Sequence, residues 1–292
     1  MIGATHNGKF HADDVFATVV IKTIFPKIKI IRTRDLEKIN QADIAYDVGR
    51  ICDPSVLRFD HHQNGAPMRS NGIAYSSFGL VWREFGEKYC ESAKVAERID
   101  QQLVQLIDAD DNGIKVAESI IDDVSPFDTS GAIDSFNPSY LIEDEKLGDE
   151  YFWQAVDWAE TLLKRLVKQA HAAEKSVEYI AHAVAKSTDE RFVVLNRLAL
   201  YDGISIDYPK LLFMVFPDDV NNTWQVLAMR KNSDSFESRK PFPVSWAGLD
   251  GKALAKVSGV ADAVFCHKKR FLAVAKTKNG ALGLMREALA DE

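Results

Sequence analysis

Cysteine is scarce in this chain of 292 residues: Cys52, Cys90 and Cys266 are its three, far apart and odd in number. That excludes a disulfide framework and marks the thiols as free, as expected of a protein in a reducing, cytoplasmic compartment. Long apolar runs are also missing. None approaches the roughly 20 residues needed to cross a bilayer, so no membrane partner is expected. The opening residues carry no basic stretch followed by an apolar core, so no secretory signal is expected either. No internal repeat or low-complexity segment stands out. Nothing resembles a Ser-His-Asp or Cys-His arrangement, which leaves covalent catalysis by a protein nucleophile without a candidate.

What the chain does have is histidine and carboxylate in the same places. Four of its seven histidines fall in the first 62 residues. Thr5-His6-Asn7-Gly8-Lys9-Phe10-His11-Ala12-Asp13-Asp14 holds one pair, and Arg58-Phe59-Asp60-His61-His62 holds the other. Imidazole with carboxylate, and no thiolate, is a donor set for divalent transition metals. Charge is uneven as well. The chain carries −7 overall, but residues 229–280 hold eleven Lys or Arg against four Asp or Glu, a local +7, so the remainder carries −14. An acidic body with a basic C-terminal region fits a metal site at one end and an anion-binding surface at the other.

The length suggests two domains, and the element pattern is α/β. Strands are expected at residues 1–5, 27–32 and 44–48, alternating with helices over 13–25, where Val15, Val19 and Ile24 recur at helical spacing before Pro26, and over 35–40. Alternation at this pace implies a mainly parallel sheet flanked by helices. Residues 63–75 read as loop. Ser76 and Ser77 are cap candidates for a helix carrying Leu80, Val81, Trp82 and Phe85. A second helix is expected over 93–110, closed by Asn112-Gly113, and residues 122–139 look irregular. From 148 to about 186 there is a long helical pattern, either one helix or two broken near His171. His171 and His182 read as solvent-facing positions on it. Strands then return at 192–195, 211–216, 224–229 and 271–275. The expected organisation is a metal-binding catalytic domain over 1–145, a helical connector over 146–188, and a smaller α/β domain with a mixed sheet over 189–292.

Four constellations carry the chemistry. His6, His11 and Asp13 follow a strand, and the crevice beyond the carboxyl ends of parallel strands is the usual ligand site. Asp47 ends the strand Ile44-Ala45-Tyr46 and is placed to enter the same crevice. Adjacent His61 and His62 on extended backbone point to opposite sides, so one can bind metal while its neighbour faces substrate, with Asp60 orienting an imidazole. Last, in Ile107-Asp108-Ala109-Asp110-Asp111-Asn112-Gly113, Asp108 and Asp111 share a helix face by their i, i+3 spacing. Carboxylates there oppose the helix dipole unless a cation is near.

Taken together, these segments resemble the motifs of the MYG1 family, an uncharacterised metal-dependent hydrolase group by its older description, itself similar to the DHH phosphoesterases. The resemblance resumes at Leu211-Leu212-Phe213-Met214-Val215-Phe216-Pro217, Ser238-Arg239-Lys240-Pro241-Phe242-Pro243 and Phe265-Cys266-His267. It implies a DHH-like catalytic domain with two divalent metals, usually manganese, and a smaller substrate-binding domain. Carried over, His6, His11 and Asp13 would ligate metal, Asp47 would bridge, and His61 and Asp108 would complete the second ion, with Asp111 a further candidate. His62 would touch the phosphate or protonate the leaving group. The wider superfamily's first motif is His-x3-Asp-x-Asp; here the first spacing is one residue longer and a His replaces the first Asp.

Basic and polar residues of the C-terminal region supply the anion side: Arg230, Arg239, Lys240, His267, Lys276 and Thr277 are candidates to hold phosphates. Family members tend to have glycines where this chain reads Arg270-Phe271-Leu272-Ala273-Val274, which shifts the expectation from a backbone cradle to side chains. The reading that follows is a metal-dependent phosphodiesterase, most specifically a 3′-to-5′ RNA exonuclease. The alternatives are hydrolysis of a small phosphate compound (a short oligonucleotide, cyclic dinucleotide or pyrophosphate) and a metal-containing nucleotide- or RNA-binding regulator without turnover. A homodimeric assembly is compatible with any of these.

Overall fold

A computed structural model of the chain describes residues 1–139, 145–201, 203–232 and 235–291. They fall into two compact units, Met1–His171 and Ala172–Glu292. No described helix is long and apolar enough to cross a membrane, and the three cysteines are free.

The first unit opens with the expected alternation: β1 (Ile2–Thr5), α1 (Ala12–Ile24), β2 (Lys29–Arg32), α2 (Leu36–Gln41) and β3 (Ile44–Tyr46). Two strands of two residues each, β4 (Cys52–Asp53) and β5 (Arg58–Phe59), then complete a sheet in the order β2-β1-β3-β5-β4. All pairings are parallel except β4 with β5. The side-chain period of two divides β3 between layers. Ile44 and Tyr46 enter the larger core beneath α1, while Ala45 joins Ala4, Ile39 and Val48 in a small cluster under α2. Helices therefore cover both faces, as in a doubly wound sheet.

Helix α1 is more than amphipathic. Every residue from Ala12 to Ile21 is buried, because the helix is packed against α3 (Ser77–Cys90) as well as in the sheet's larger core. Phe16 of α1 and Phe78 of α3 pack their rings at a tilt, with centroids 5.3 Å apart; each such buried aromatic contributes roughly 1.5–3 kcal/mol. This burial also carries the acidic first turn of α1 into the interior. Ser76 caps α3 by accepting the Gly79 N–H, as its position predicts.

The helix expected over 93–110 forms with an interruption. It runs as α4 (Ala93–Ile99), a π-helical turn over Asp100–Val104, and α5 (Gln105–Asp111). A short α6 (Thr129–Asp134) occupies part of the stretch read as irregular. Residues 140–144, next to the expected boundary at 145, lie outside the described residues. Helix α7 (Glu145–Ala185) is a single helix of 41 residues, with no break at His171. Phe152, Ala159 and Leu163 belong to the first unit's core, and Ile180 to a cluster of the second. His171 is half-buried, its Nε2 2.8 Å from the Cys90 carbonyl oxygen, whereas His182 is exposed.

The second unit adds β6 (Phe192–Val194), α8 (Ile204–Asp207), β7 (Phe213–Asp218), β8 (Thr223–Ala228), α9 (Gly251–Ser258), β9 (Ala263–Cys266), β10 (Leu272–Ala275) and α10 (Lys278–Ala290). Its sheet runs β6-β7-β8-β10-β9, with β6 parallel to β7 and the rest antiparallel. The fold class is thus α/β, with one mainly parallel and one mixed sheet.

Candidate metal centre

In the first sheet β1 lies between β2 and β3, so the chain leaves β1 toward one side and returns as β3 on the other. That reversal opens a crevice at the carboxyl ends of the strands. His6 follows β1, Asp47 follows β3, and Asp60 and His61 follow β5, so three neighbouring strands deliver their next residues to one place. Asp47 itself sits in left-handed backbone, φ +55°, and Gly49 follows at φ +98°. Aspartate tolerates that conformation better than most residues, and the sharp turn ends the strand at the crevice.

Asp47 is the hub, only 4% exposed. Its Oδ2 accepts from His6 Nε2 at 3.0 Å. Its Oδ1 lies 3.3 Å from His61 Nε2, 3.6 Å from His62 Nδ1 and 3.4 Å from the Ser77 hydroxyl. Around it stand the carboxylates of α1 and α5. Asp13 Oδ2 accepts the Ser77 N–H at 3.3 Å and lies 3.8 Å from His61 Nε2. Asp14 Oδ1 accepts the His11 N–H at 2.9 Å, while its Oδ2 is 3.5 Å from His6 Nε2. Asp111 Oδ2 is 3.3 Å from His61 Nε2. Three oxygens here, Asp13 Oδ1, Asp14 Oδ2 and Asp111 Oδ2, are buried and accept no hydrogen bond. Only imidazole nitrogens at 3.5 and 3.3 Å stand near Asp14 Oδ2 and Asp111 Oδ2; buried carboxylate oxygens with so little compensation are costly, and a cation is the partner this donor set lacks.

Three triples bring ligand atoms within 4.8 Å of one another: His6 with Asp14 and Asp47, His61 with His62 and Asp47, and His11 with Asp13 and Asp111. The electrostatics tell the same story. Burial, reinforced by the charges of Asp47, Asp111 and Asp14, pushes the Asp13 carboxyl well above its usual range. Burial raises Asp14 to about 7 and Asp111 to about 6, against the opposing pull of His6 and His61 respectively. Asp47 is buried too, but hydrogen bonds from His6 and His61 outweigh burial and hold it below the carboxylate range. Burial and the charge of His6 lower His11. Burial works against protonation of His6, yet the bond to Asp47 raises it.

His62 stands at the edge, its side chain 55% exposed. Asp60 Oδ1 accepts from His62 Nδ1 at 2.7 Å and from its backbone N–H at 3.0 Å, and Asp60 Oδ2 accepts the Arg50 N–H at 2.6 Å. The bond to Asp60 raises the His62 imidazole above its ordinary value. Asp60 therefore orients an imidazole and stays out of the ligand groups.

Asp108 has a different occupation. Its Oδ1 accepts the N–H and hydroxyl of Ser76 at 3.0 and 2.7 Å, and its Oδ2 is bonded by Arg69 at 2.7 Å. The same Arg69 guanidinium holds Asp100 in the π turn through two further bonds of 2.7 and 2.8 Å. Gly79 leaves room for this carboxylate, since a Cβ there would overlap Asp108 Oδ1. With both oxygens engaged, Asp108 ties α5 to the start of α3 and the loop before it, and Asp111 takes the place in the metal groups. Asp14 and Arg69 were not singled out from sequence. Asp14 reads as an ordinary first-turn acid of a helix, and only the burial of that turn reveals it.

In the second unit, three expected anion ligands are committed elsewhere. Arg239 donates to the carbonyls of Ser205, Tyr208 and Leu211. Lys240 donates to the Asp291 carbonyl. Thr277 caps α10 through the Gly280 N–H and donates its hydroxyl to Asp262 at 2.7 Å. Arg230 is exposed with its guanidinium 4.5 Å from the centre of the Phe236 ring. The His267 ring lies 4.4 Å from that of Phe271, and its Nδ1 accepts the Lys269 N–H at 3.1 Å. Lys276 is exposed.

A cavity of about 480 Å³ adjoins the metal groups, with His11, Asp13 and Asp111 on its wall. Compared with known proteins, the chain matches the MYG1 family, described as an uncharacterised protein family (UPF0160), over residues 2–289. It is 33% identical to a Caenorhabditis elegans protein named MYG1 protein C27H6.8, covering 98% of this chain and 94% of that one. It is 30% identical to the human MYG1 exonuclease, over 98% and 85% of the two chains. A MYG1 protein of Chlamydia pneumoniae is 31% identical over 98% and 96%. A solved pGpG-specific phosphodiesterase from Vibrio aligns along the whole chain at 13% identity with a TM-score of 0.33, too low to carry weight.

Proposed function

The chain belongs to the MYG1 family, and from that premise we propose that it is a metal-dependent phosphodiesterase, specifically a 3′-to-5′ RNA exonuclease working with two divalent ions, most suitably manganese. The observation that carries this reading is the convergence of histidines with buried carboxylate oxygens that have no other partner. Asp47 suits a bridging role because its two oxygens face opposite ways, Oδ2 to His6 and Oδ1 to His61. His6 and Asp14 would hold one ion with Asp47; His61, Asp13 and Asp111 would hold the other, with His11 beside Asp13. When bound, such a pair supplies Lewis-acid chemistry: it lowers the pKa of water and neutralises charge on the phosphate.

The protein's own share is proton handling. Asp60 fixes the His62 tautomer by accepting at Nδ1, which leaves Nε2 to deliver a proton to the departing oxygen. The raised proton affinity of His62 favours the charged imidazole, the form a general acid needs. In the second unit, Arg230, His267 and Lys276 remain the side chains to engage a phosphate backbone.

The cavity beside the site takes one nucleotide end, which suits a small phosphodiester as well as an RNA terminus. Asp47→Ala separates an enzyme from a regulator. An enzyme loses turnover of end-labelled RNA in the presence of manganese; retention of RNA binding with no turnover in either form identifies the regulator instead.

A further inference from the structure

Phosphate calls for cations around it, yet beyond the metal groups every charged side chain on the cavity wall is a carboxylate. Asp110, Asp128, Ser130 and Asp134 line it there, and Gly131 gives it a side-chain-free surface. Asp13, 1% exposed, lines the inner end with Oδ1 accepting no hydrogen bond. Asp134 is ion-paired to Lys9 at 2.9 Å, and one oxygen of Asp128 accepts the Gly131 N–H at 2.8 Å. An aromatic stands beside Gly131 of the wall. Phe127 is 77% exposed, and its ring packs over Gly131, where a Cβ would meet the Phe127 Cε2 at 3.3 Å.

A wall of carboxylates accepts hydrogen bonds and donates none. It repels a second phosphate and favours the part of a ligand that is uncharged and rich in hydroxyl groups. An exposed ring beside it offers a face for a base. We propose that this cavity is the subsite for the chain-terminal nucleoside, with Asp110, Asp128 and Ser130 accepting the hydroxyls of a terminal ribose and Phe127 stacking on its base. The inference rests on the phosphodiesterase reading and sharpens its substrate: an end with a free cis-diol is accepted, and an end bearing a 3′-phosphate is refused.

The test is calorimetric binding to manganese-loaded full-length protein. Adenosine 5′-monophosphate should bind about tenfold or more tightly than its 2′-deoxy analogue, the loss of a hydrogen bond to a charged acceptor. Adenosine 3′,5′-bisphosphate should bind more weakly still, although it carries more charge. Asp128→Asn keeps the cap of α6, since asparagine caps as well as aspartate, and should erase most of both preferences. Phe127→Ala should weaken adenosine 5′-monophosphate about tenfold and leave ribose 5-phosphate unchanged. Tightest binding by the bisphosphate, or variants that bind all four ligands as the parent does, overturns the subsite. Hydrolysis of bis(p-nitrophenyl) phosphate by the same preparations is a separate readout: its absence overturns the phosphodiesterase reading, while the binding pattern decides the subsite either way.

Discussion

Stripping divalent cations from this protein should make its stability fall as pH rises from 4 to 8. Asp14 and Asp111 titrate near 7 and 6 in the folded protein, against 3.8 without the fold. Below about pH 4 both states are protonated and neither group contributes. Above that, the unfolded chain releases protons that the folded chain keeps, so stability declines until the pH passes the folded values. At about 1.36 kcal/mol per pH unit of difference, Asp111 costs about 3 and Asp14 about 4 kcal/mol by pH 8. Of that total, about 4 kcal/mol falls between pH 5 and 8. His6, raised by Asp47 against the pull of burial, acts in the same direction: its contribution is full below its unfolded value and is lost as pH rises through the folded one. Asp47 and Asp60 are lowered, so their contributions stay complete above the unfolded carboxylate range and vanish only in acid. A cost on the scale of a domain's whole stability is what a cation would remove. Urea unfolding of chelator-treated protein across this range should show the decline, and manganese should restore stability most at pH 8. Cation-free protein that gains stability from pH 5 to 8, or is indifferent to manganese at pH 8, would show that these carboxylates do not hold protons in the folded state.

His62→Ala should lower turnover of RNA by about 10²–10⁴-fold, the worth of a general acid. It should hurt an aryl phosphodiester far less, because p-nitrophenolate leaves without a proton; equal losses on both substrates would remove His62 from that role. Arg69→Ala leaves Asp108, fully buried, and Asp100 without their cation. Breaking a buried pair in this way costs about 3–5 kcal/mol, to be read as a large drop in the unfolding midpoint, and an unchanged midpoint would count against the anchoring role given to Asp108.

The first five elements were legible because each carries its own local signal. Pro26 ends α1, Asp35 caps α2, an isoleucine-rich run marks β2, and the apolar run Ile44-Ala45-Tyr46 marks β3. The strands β4 and β5 were not, since two residues cannot show a period and exist only as edges of a sheet built by others. The π turn at Asp100–Val104 keeps the apolar pattern of a plain helix, so nothing local announces it, although it carries the Arg69 anchor. His6 and Asp47 could be named as candidates because residue type and strand ends agree, His11 and Asp13 because they open the helix after β1, His61 from the Asp60-His61-His62 triplet, and Asp111 because it shares a helix face with Asp108. Asp108 reads the same as Asp111 in a list of carboxylates. Only the packing of α5 against Ser76 and Arg69, about thirty to forty positions away in sequence, separates an anchoring carboxylate from one facing the crevice.

If these side chains form a cation-dependent phosphodiester-cleaving site, cleavage must follow the cation. Protein freed of metal should be incubated with 3′-end- and 5′-end-labelled RNA, DNA and small phosphodiesters, with manganese, magnesium or zinc returned in turn. No cleavage is expected without a cation; with manganese, mononucleotides should leave the RNA 3′ end, with activity saturating near two ions per chain. Cleavage undiminished by excess chelator, or none of any phosphodiester with any ion, would contradict it.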